Sequence, residues 1–166
     1  MSELSLMVDD LNPDIIVITE TWLTVDIDCS PVISGYICVR SDRVRSRKGG
    51  GIILYIRDHF RINSIISEAH VSGTCEVVCC TIRSRNGLVT IGGIYRSPCC
   101  LADDFILKHV CSWSKAECCL IVGDFIAPHI NRIELTASVG VSIASFYQLV
   151  TPRKLFRFES VINSRH

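Results

Sequence analysis

Two acids stand at the ends of apolar, strand-like runs: Glu20 in "VITETW" and Asp124 in "LIVGDF". A carboxylate offers hard oxygen donors, and two of them brought together suit Mg²⁺, which binds one or two carboxylates and keeps its other positions for water and phosphate. In layered sheet proteins ligands are met at strand ends and the loops that follow them. Spacing alone leaves open a solvated or salt-bridged role for each acid. Between them, "RSDRVRSRKGGG" places Arg40, Arg43, Arg45, Arg47 and Lys48 within nine residues. Such a run either grips a nucleic-acid backbone in a salt-dependent way or simply forms a solvated loop. Gly49, Gly50 and Gly51 are not followed by the Lys-Ser/Thr of a phosphate-binding P-loop, so they read as relaxing the turn into the next strand.

Elements must bring these residues together. Segments 14–21, 35–42, 51–58, 75–83, 88–96 and 118–125 read as strands rich in Val, Ile and Cys on both alternating faces, as in sheets covered on both sides. Asn86-Gly87 supplies a turn that folds 75–83 and 88–96 into an antiparallel hairpin. After Pro98, residues 101–113 space Phe105, Ile106, His109, Val110 and Trp113 as one helical face, so a helix crosses between the strands at 88–96 and 118–125. The class is α/β or α+β, with sheets covered by helices. Residues 134–150 read as a helix broken near Gly140, and 151–166 are basic and mixed with no clear partner strand.

At 166 residues the chain has room for one domain, 1–166. Hydrophobic residues make up 48% and charged residues 20%, which excludes a disordered chain. Seventeen basic and seventeen acidic side chains cancel, so any polyanion would be met by a local patch rather than a whole-molecule field. There is no basic segment leading into an apolar core at the N-terminus and no apolar run of membrane-spanning length. These features read as an intracellular protein, nuclear or cytoplasmic, that is neither secreted nor membrane-bound. Ten cysteines in that setting read as reduced thiols packed as small hydrophobes. Adjacent pairs at 79/80 and 118/119 sit on strands, where neighbours point to opposite faces, so neither pair chelates one zinc ion.

Four segments in order, "PDIIVITETWL", "GYICVRSDRVRSRKGGGIILYIRD", "GLVTIGGIYRSP" and "CLIVGDFIAP", resemble the endonuclease domain of non-long-terminal-repeat (LINE-type) retrotransposons. That domain belongs to the endonuclease/exonuclease/phosphatase superfamily, with the apurinic endonucleases. The resemblance covers about residues 11–130 and leaves 131–166 divergent. It implies a four-layered α/β sandwich of two packed mixed sheets flanked by helices. It also implies Mg²⁺-dependent phosphodiester hydrolysis, with Mn²⁺ as a substitute, that nicks target DNA to prime reverse transcription. By this likeness Glu20 is the metal ligand, Tyr95 in "YRSP" approaches the scissile phosphate, and Asp124 helps activate the attacking water. Arg96, Arg43, Arg45, Arg47 and Lys48 would contact the DNA, and a reverse transcriptase domain would be the partner in a parent polyprotein. Trp22 and Pro98 fall in the same motifs; Trp22 reads equally as plain packing.

The resemblance also shows departures. Where the family has Gly-Asp-Phe-Asn-x-Pro, "GDFIAP" puts Ile126 in place of the asparagine, and isoleucine cannot donate a hydrogen bond to a phosphate oxygen. The family's upstream asparagine strand and its terminal Ser-Asp-His motif have no counterpart; His166 comes too soon and lacks the preceding aspartate. The expectation is a copy incomplete at both ends and impaired, with a non-catalytic remnant that binds DNA through its basic loop as the rival reading.

Overall fold

The computed structural model describes residues 3–24, 32–44, 49–85, 87–125, 130–131 and 136–137. The elements in chain order are α1 (Glu3–Leu11), β1 (Ile15–Thr19), β2 (Tyr36–Ser41), β3 (Ile52–Arg57), β4 (Arg61–Ala69), β5 (Cys75–Ser84), β6 (Gly87–Arg96), α2 (Asp103–Trp113), β7 (Cys118–Phe125), β8 (Ile130–Asn131) and β9 (Thr136–Ala137). One sheet has the order β1-β3-β2 and is antiparallel throughout. The other has the order β4-β5-β6-β7, antiparallel except for the parallel pair β6/β7 that α2 connects. It is the mixed α/β sandwich that the sequence implied.

Period-two alternation assigns each strand residue to a layer. Val39, Ile52, Leu54 and Ile56 of the first sheet meet Val78, Cys80, Ile82, Ile91 and Tyr95 of the second in one buried core. The intervening residues of β5 and β6, Cys75, Val77, Cys79 and Ile94, face the opposite way and pack with Ile106, Val110 and Trp113 of α2. Gly92 makes room for that helix, since a Cβ there would lie 2.4 Å from Trp113 Cε3. Burial pushes the thiols of Cys79 up to about 12 and of Cys80 and Cys119 up to about 11, so they sit protonated among hydrocarbon.

All six expected strands form, and the hairpin closes with Ser84 paired to Gly87. Helix α2 starts at Asp103, two residues later than expected, with Asp103 and Asp104 in the first turn, where negative charge is favourable at the positive end of the helix dipole. Sequence periodicity did not reveal α1 or β4. Helix α1 stops at Leu11: Asn12 still donates its N–H to Val8 O at 2.9 Å, and its left-handed backbone (φ 44) then turns the chain out of the helix. Strand β4 carries a register shift between Ile62 and Ser64. Ile62 therefore packs in the inter-sheet core and Ile66 on the helix side, so no single alternation runs through the strand. Thr136–Ala137, expected in a helix, instead pair with Ile130–Asn131 as a short antiparallel ladder. The remainder of that expected helix and residues 151–166, including His166, lie outside the described residues. Among the described residues no helix is long and apolar enough to cross a membrane.

The fit of Trp113 on Gly92 sets a stability test. Gly92→Val should cost about 1–3 kcal/mol by overpacking, read as a lower urea midpoint at unchanged slope. An unchanged midpoint would mean that Trp113 does not rest on that strand.

Candidate active site

The strand ends gather at one edge of the sandwich. Thr19 and Ser41 both pair with Ile52, so the end of β1, the end of β2 and the start of β3 lie together. In the other sheet Glu76 pairs with Tyr95 and Tyr95 with Asp124. Register partners point to the same face, so Glu76, Tyr95 and Asp124 form a row across β5, β6 and β7. That row continues the inner face, because Ile91 and Tyr95 share the inter-sheet core.

Glu20 follows β1 and meets this row. Tyr95 OH donates to Glu20 Oε1, and the N–H of Gly50 donates to Glu20 Oε2 at 2.8 Å. Glu20 and Trp22 both hold left-handed backbones (φ 56 and 57), uncommon for residues with large side chains and typical of positions that the surroundings constrain. The N–H of Trp22 donates to Gly50 O at 2.9 Å, which ties this turn to the glycine loop. Burial pushes the Tyr95 phenol above its usual range, and the Glu20 carboxylate it bonds adds to this while Arg43 opposes it. Tyr95 thus stays protonated and remains a donor.

Glu76 is the site residue that sequence reasoning missed. It is 0% exposed, and both of its oxygens are engaged: Arg43 Nε donates to Oε1 at 3.1 Å and Gly51 N–H to Oε2 at 3.2 Å. The signal available was a lone charge in the strand "CEVVCC", since a charge on an apolar strand is buried only with a partner. Arg43, expected on the DNA-facing loop, is itself only 7% exposed and lies with Cζ 5.1 Å from the centre of the Tyr95 ring. Burial works against its charge, but Glu76 outweighs that and the guanidinium pKa is raised. The three glycines do more than relax a turn: with φ of 79 and 87, Gly50 and Gly51 aim successive N–H groups at Glu20 and Glu76. A Cβ on Gly50 would fall 2.2 Å from Arg43 Cζ, so only glycine fits there.

The structure brings Glu20 and Tyr95 into contact, with Asp124 beside Tyr95 in register. Arg96 is not part of that group. As the next residue along β6 it points to the α2 side, where Nε meets Asp103 Oδ1 at 2.9 Å and Nη2 meets Cys100 O at 3.1 Å. It fastens the turn after β6 to the crossover helix. Arg45, Arg47, Lys48 and Ile126 lie outside the described residues.

Among the described residues no three His, Cys, Asp or Glu side chains cluster as a metal cage. Mg²⁺ needs only one or two carboxylates. The donor chemistry of Glu20 fits it: each oxygen accepts one protein hydrogen bond and retains a second lone pair. Glu76 does not, because it is fully buried and its charge is met by the Arg43 guanidinium.

No family model and no curated protein matches the sequence. Solved structures do match the fold. TDP2 from D. rerio complexed with a single strand DNA product aligns with TM-score 0.56 at 10% identity, over 75% of this chain and 52% of that one. The human Nocturnin catalytic domain with bound sulfate anion aligns with TM-score 0.54 at 15% identity, over 75% and 55%. TDP2 from C. elegans aligns with TM-score 0.56 at 16% identity, over 83% and 44%. The chain thus spans about half the length of these structures. TDP2 and Nocturnin belong to the endonuclease/exonuclease/phosphatase superfamily, and the chain has the α/β sandwich fold of that superfamily.

Proposed function

We propose that this chain is a Mg²⁺-dependent phosphodiester hydrolase, the DNA-nicking endonuclease domain of a LINE-type retrotransposon, which acts beside a reverse transcriptase in the same polyprotein. The observation that carries the reading is the contact between Tyr95 and Glu20, with Asp124 next in the row, within a nuclease-like fold. DNA as substrate is supported by the single strand DNA product bound to one neighbour, and a tetrahedral anion by the sulfate bound to another. The retrotransposon branch is supported by the order of "TETW", "YRSP" and "GDF" along the chain.

Glu20 would hold the cation, which when bound offsets charge on the phosphoryl oxygens. The chain's own residues supply the rest. Tyr95 and the Gly50 amide fix both oxygens of Glu20 in place before substrate arrives, so little reorganisation is needed as charge develops. Asp124 accepts a hydrogen bond from water and orients it for in-line attack on phosphorus. Arg43, held by Glu76, adds positive potential behind Tyr95. Ile126 withholds the donor that an asparagine would aim at the phosphate, and a lost donor of this kind typically costs about 10²–10³ in rate. That residue favours the second reading, a DNA-binding remnant that no longer cuts.

Nicking of supercoiled plasmid separates the two. The nuclease reading expects nicking with Mg²⁺ and none with EDTA, its loss in Glu20→Ala and Asp124→Ala, and a faster rate in Ile126→Asn. A folded protein that stays inert even as Ile126→Asn would sink it. The remnant reading would then expect salt-sensitive DNA binding that weakens when Arg45, Arg47 and Lys48 are neutralised and ignores Asp124→Ala.

The buried pair behind the site gives a separate expectation. Glu76→Leu should cost about 3–5 kcal/mol because it strands a buried guanidinium. Arg43→Leu combined with Glu76→Leu should cost less than the two single changes together. Additive losses in urea unfolding would mean that the two side chains do not interact.

A further inference from the structure

Trp22 is 63% exposed, so packing does not account for it. Its φ of 57 is a conformation that a bulky residue adopts only where the surroundings hold it. That conformation is held by the hydrogen bond to Gly50 O, in the same loop that grips Glu20. Glu20 Oε2 and ring atoms Cε2 and Cζ2 of Trp22 all lie within 4 Å of the single point where a Cβ on Gly49 would stand. The indole and the carboxylate are therefore neighbours, and the absent side chain at Gly49 keeps the space between them open. A cationic stretch, Arg40 to Lys48, precedes that glycine in the chain.

We infer that Trp22 is a stacking platform for an unpaired nucleobase next to the phosphate that is cut. The inference rests on the nuclease reading and deepens it by naming the nucleotide feature recognised. A phosphate held near Glu20 carries its nucleoside on a short tether, so a base turned out of its helix meets the indole beside that carboxylate. An aromatic face accepts any base, so this contact adds affinity without sequence preference. A leucine or methionine would offer apolar area without a flat π-face, and a buried tryptophan such as Trp113, 4% exposed, could not be reached.

The test uses the full chain in EDTA, where no cleavage intervenes, and fluorescence anisotropy with two single-stranded oligonucleotides. One is of mixed sequence; the other has the same backbone with abasic sites. The wild type should bind the base-containing strand about 10-fold more tightly, within the range that base–aromatic stacking supports. Trp22→Ala should lose that preference while binding the abasic strand as before, and Trp22→Phe should keep most of it. Equal binding of both strands by the wild type, or a preference that survives Trp22→Ala, would overturn the stacking role and leave the nuclease reading standing. Failure to bind either strand at any salt concentration, in a folded protein, would overturn both.

Discussion

At the edge of a core built mainly of Val, Leu and Ile, Glu76 is fully buried, and Arg43 and the Gly51 amide take its two oxygens. A buried carboxylate with neither partner would be expelled or neutralised. The pair therefore dictates where its surroundings go. Arg43 must leave the β2–β3 connection and turn inward, its guanidinium comes to lie over the Tyr95 ring, and the chain must pass close enough for Gly51 to donate. Because a Cβ on Gly50 would collide with that guanidinium, the tight approach is open only to glycine. Such a pair adds little net stability beside a well-packed apolar alternative, but it specifies one arrangement of the loop.

That arrangement divides two glutamates between two tasks. Glu20 and Glu76 each take an amide from the same glycine loop, yet one lies beside an exposed indole and the other is sealed. Glu20 keeps lone pairs for a cation, whereas Glu76 spends its charge on Arg43. Tyr95 joins the halves: its ring lies under Arg43, its hydroxyl donates to Glu20, and its backbone sits between Glu76 and Asp124 in the ladder. Burial keeps the phenol protonated, so the link persists across the ordinary pH range.

The layer outside the second sheet serves the site at a distance. Arg96, one residue beyond Tyr95, points the other way and binds Asp103 and the Cys100 carbonyl, so the turn leaving β6 is fixed to α2. With Trp113 seated on Gly92 at the far end of that helix, β6 and β7 are held parallel and in register. That register is what sets Asp124 beside Tyr95.

The sequence by itself determined the strands with simple alternation, the crossover helix, the hairpin that pairs β5 with β6 and the acids at the strand ends, because each depends on residues near one another in the chain. The likeness of its motifs to a nuclease family carried Glu20, Tyr95 and Asp124 as candidates together. Strand β4 escaped because a bulge breaks its alternation, and α1 because its nine residues span too few turns to set a helical period apart. Only the tertiary structure decided the polar partners. Glu76 and Arg43 are 33 residues apart and Glu20 and Tyr95 are 75 apart, and no local pattern says which buried charge will answer which. The same holds for the arginines: a cationic run marked Arg43 and the motif "YRSP" marked Arg96, and only the fold shows that burial sets Arg43 against Glu76 and strand parity sets Arg96 against Asp103. Side-chain direction is settled by the packing of whole sheets, which brings those partners within reach only once the sandwich has closed.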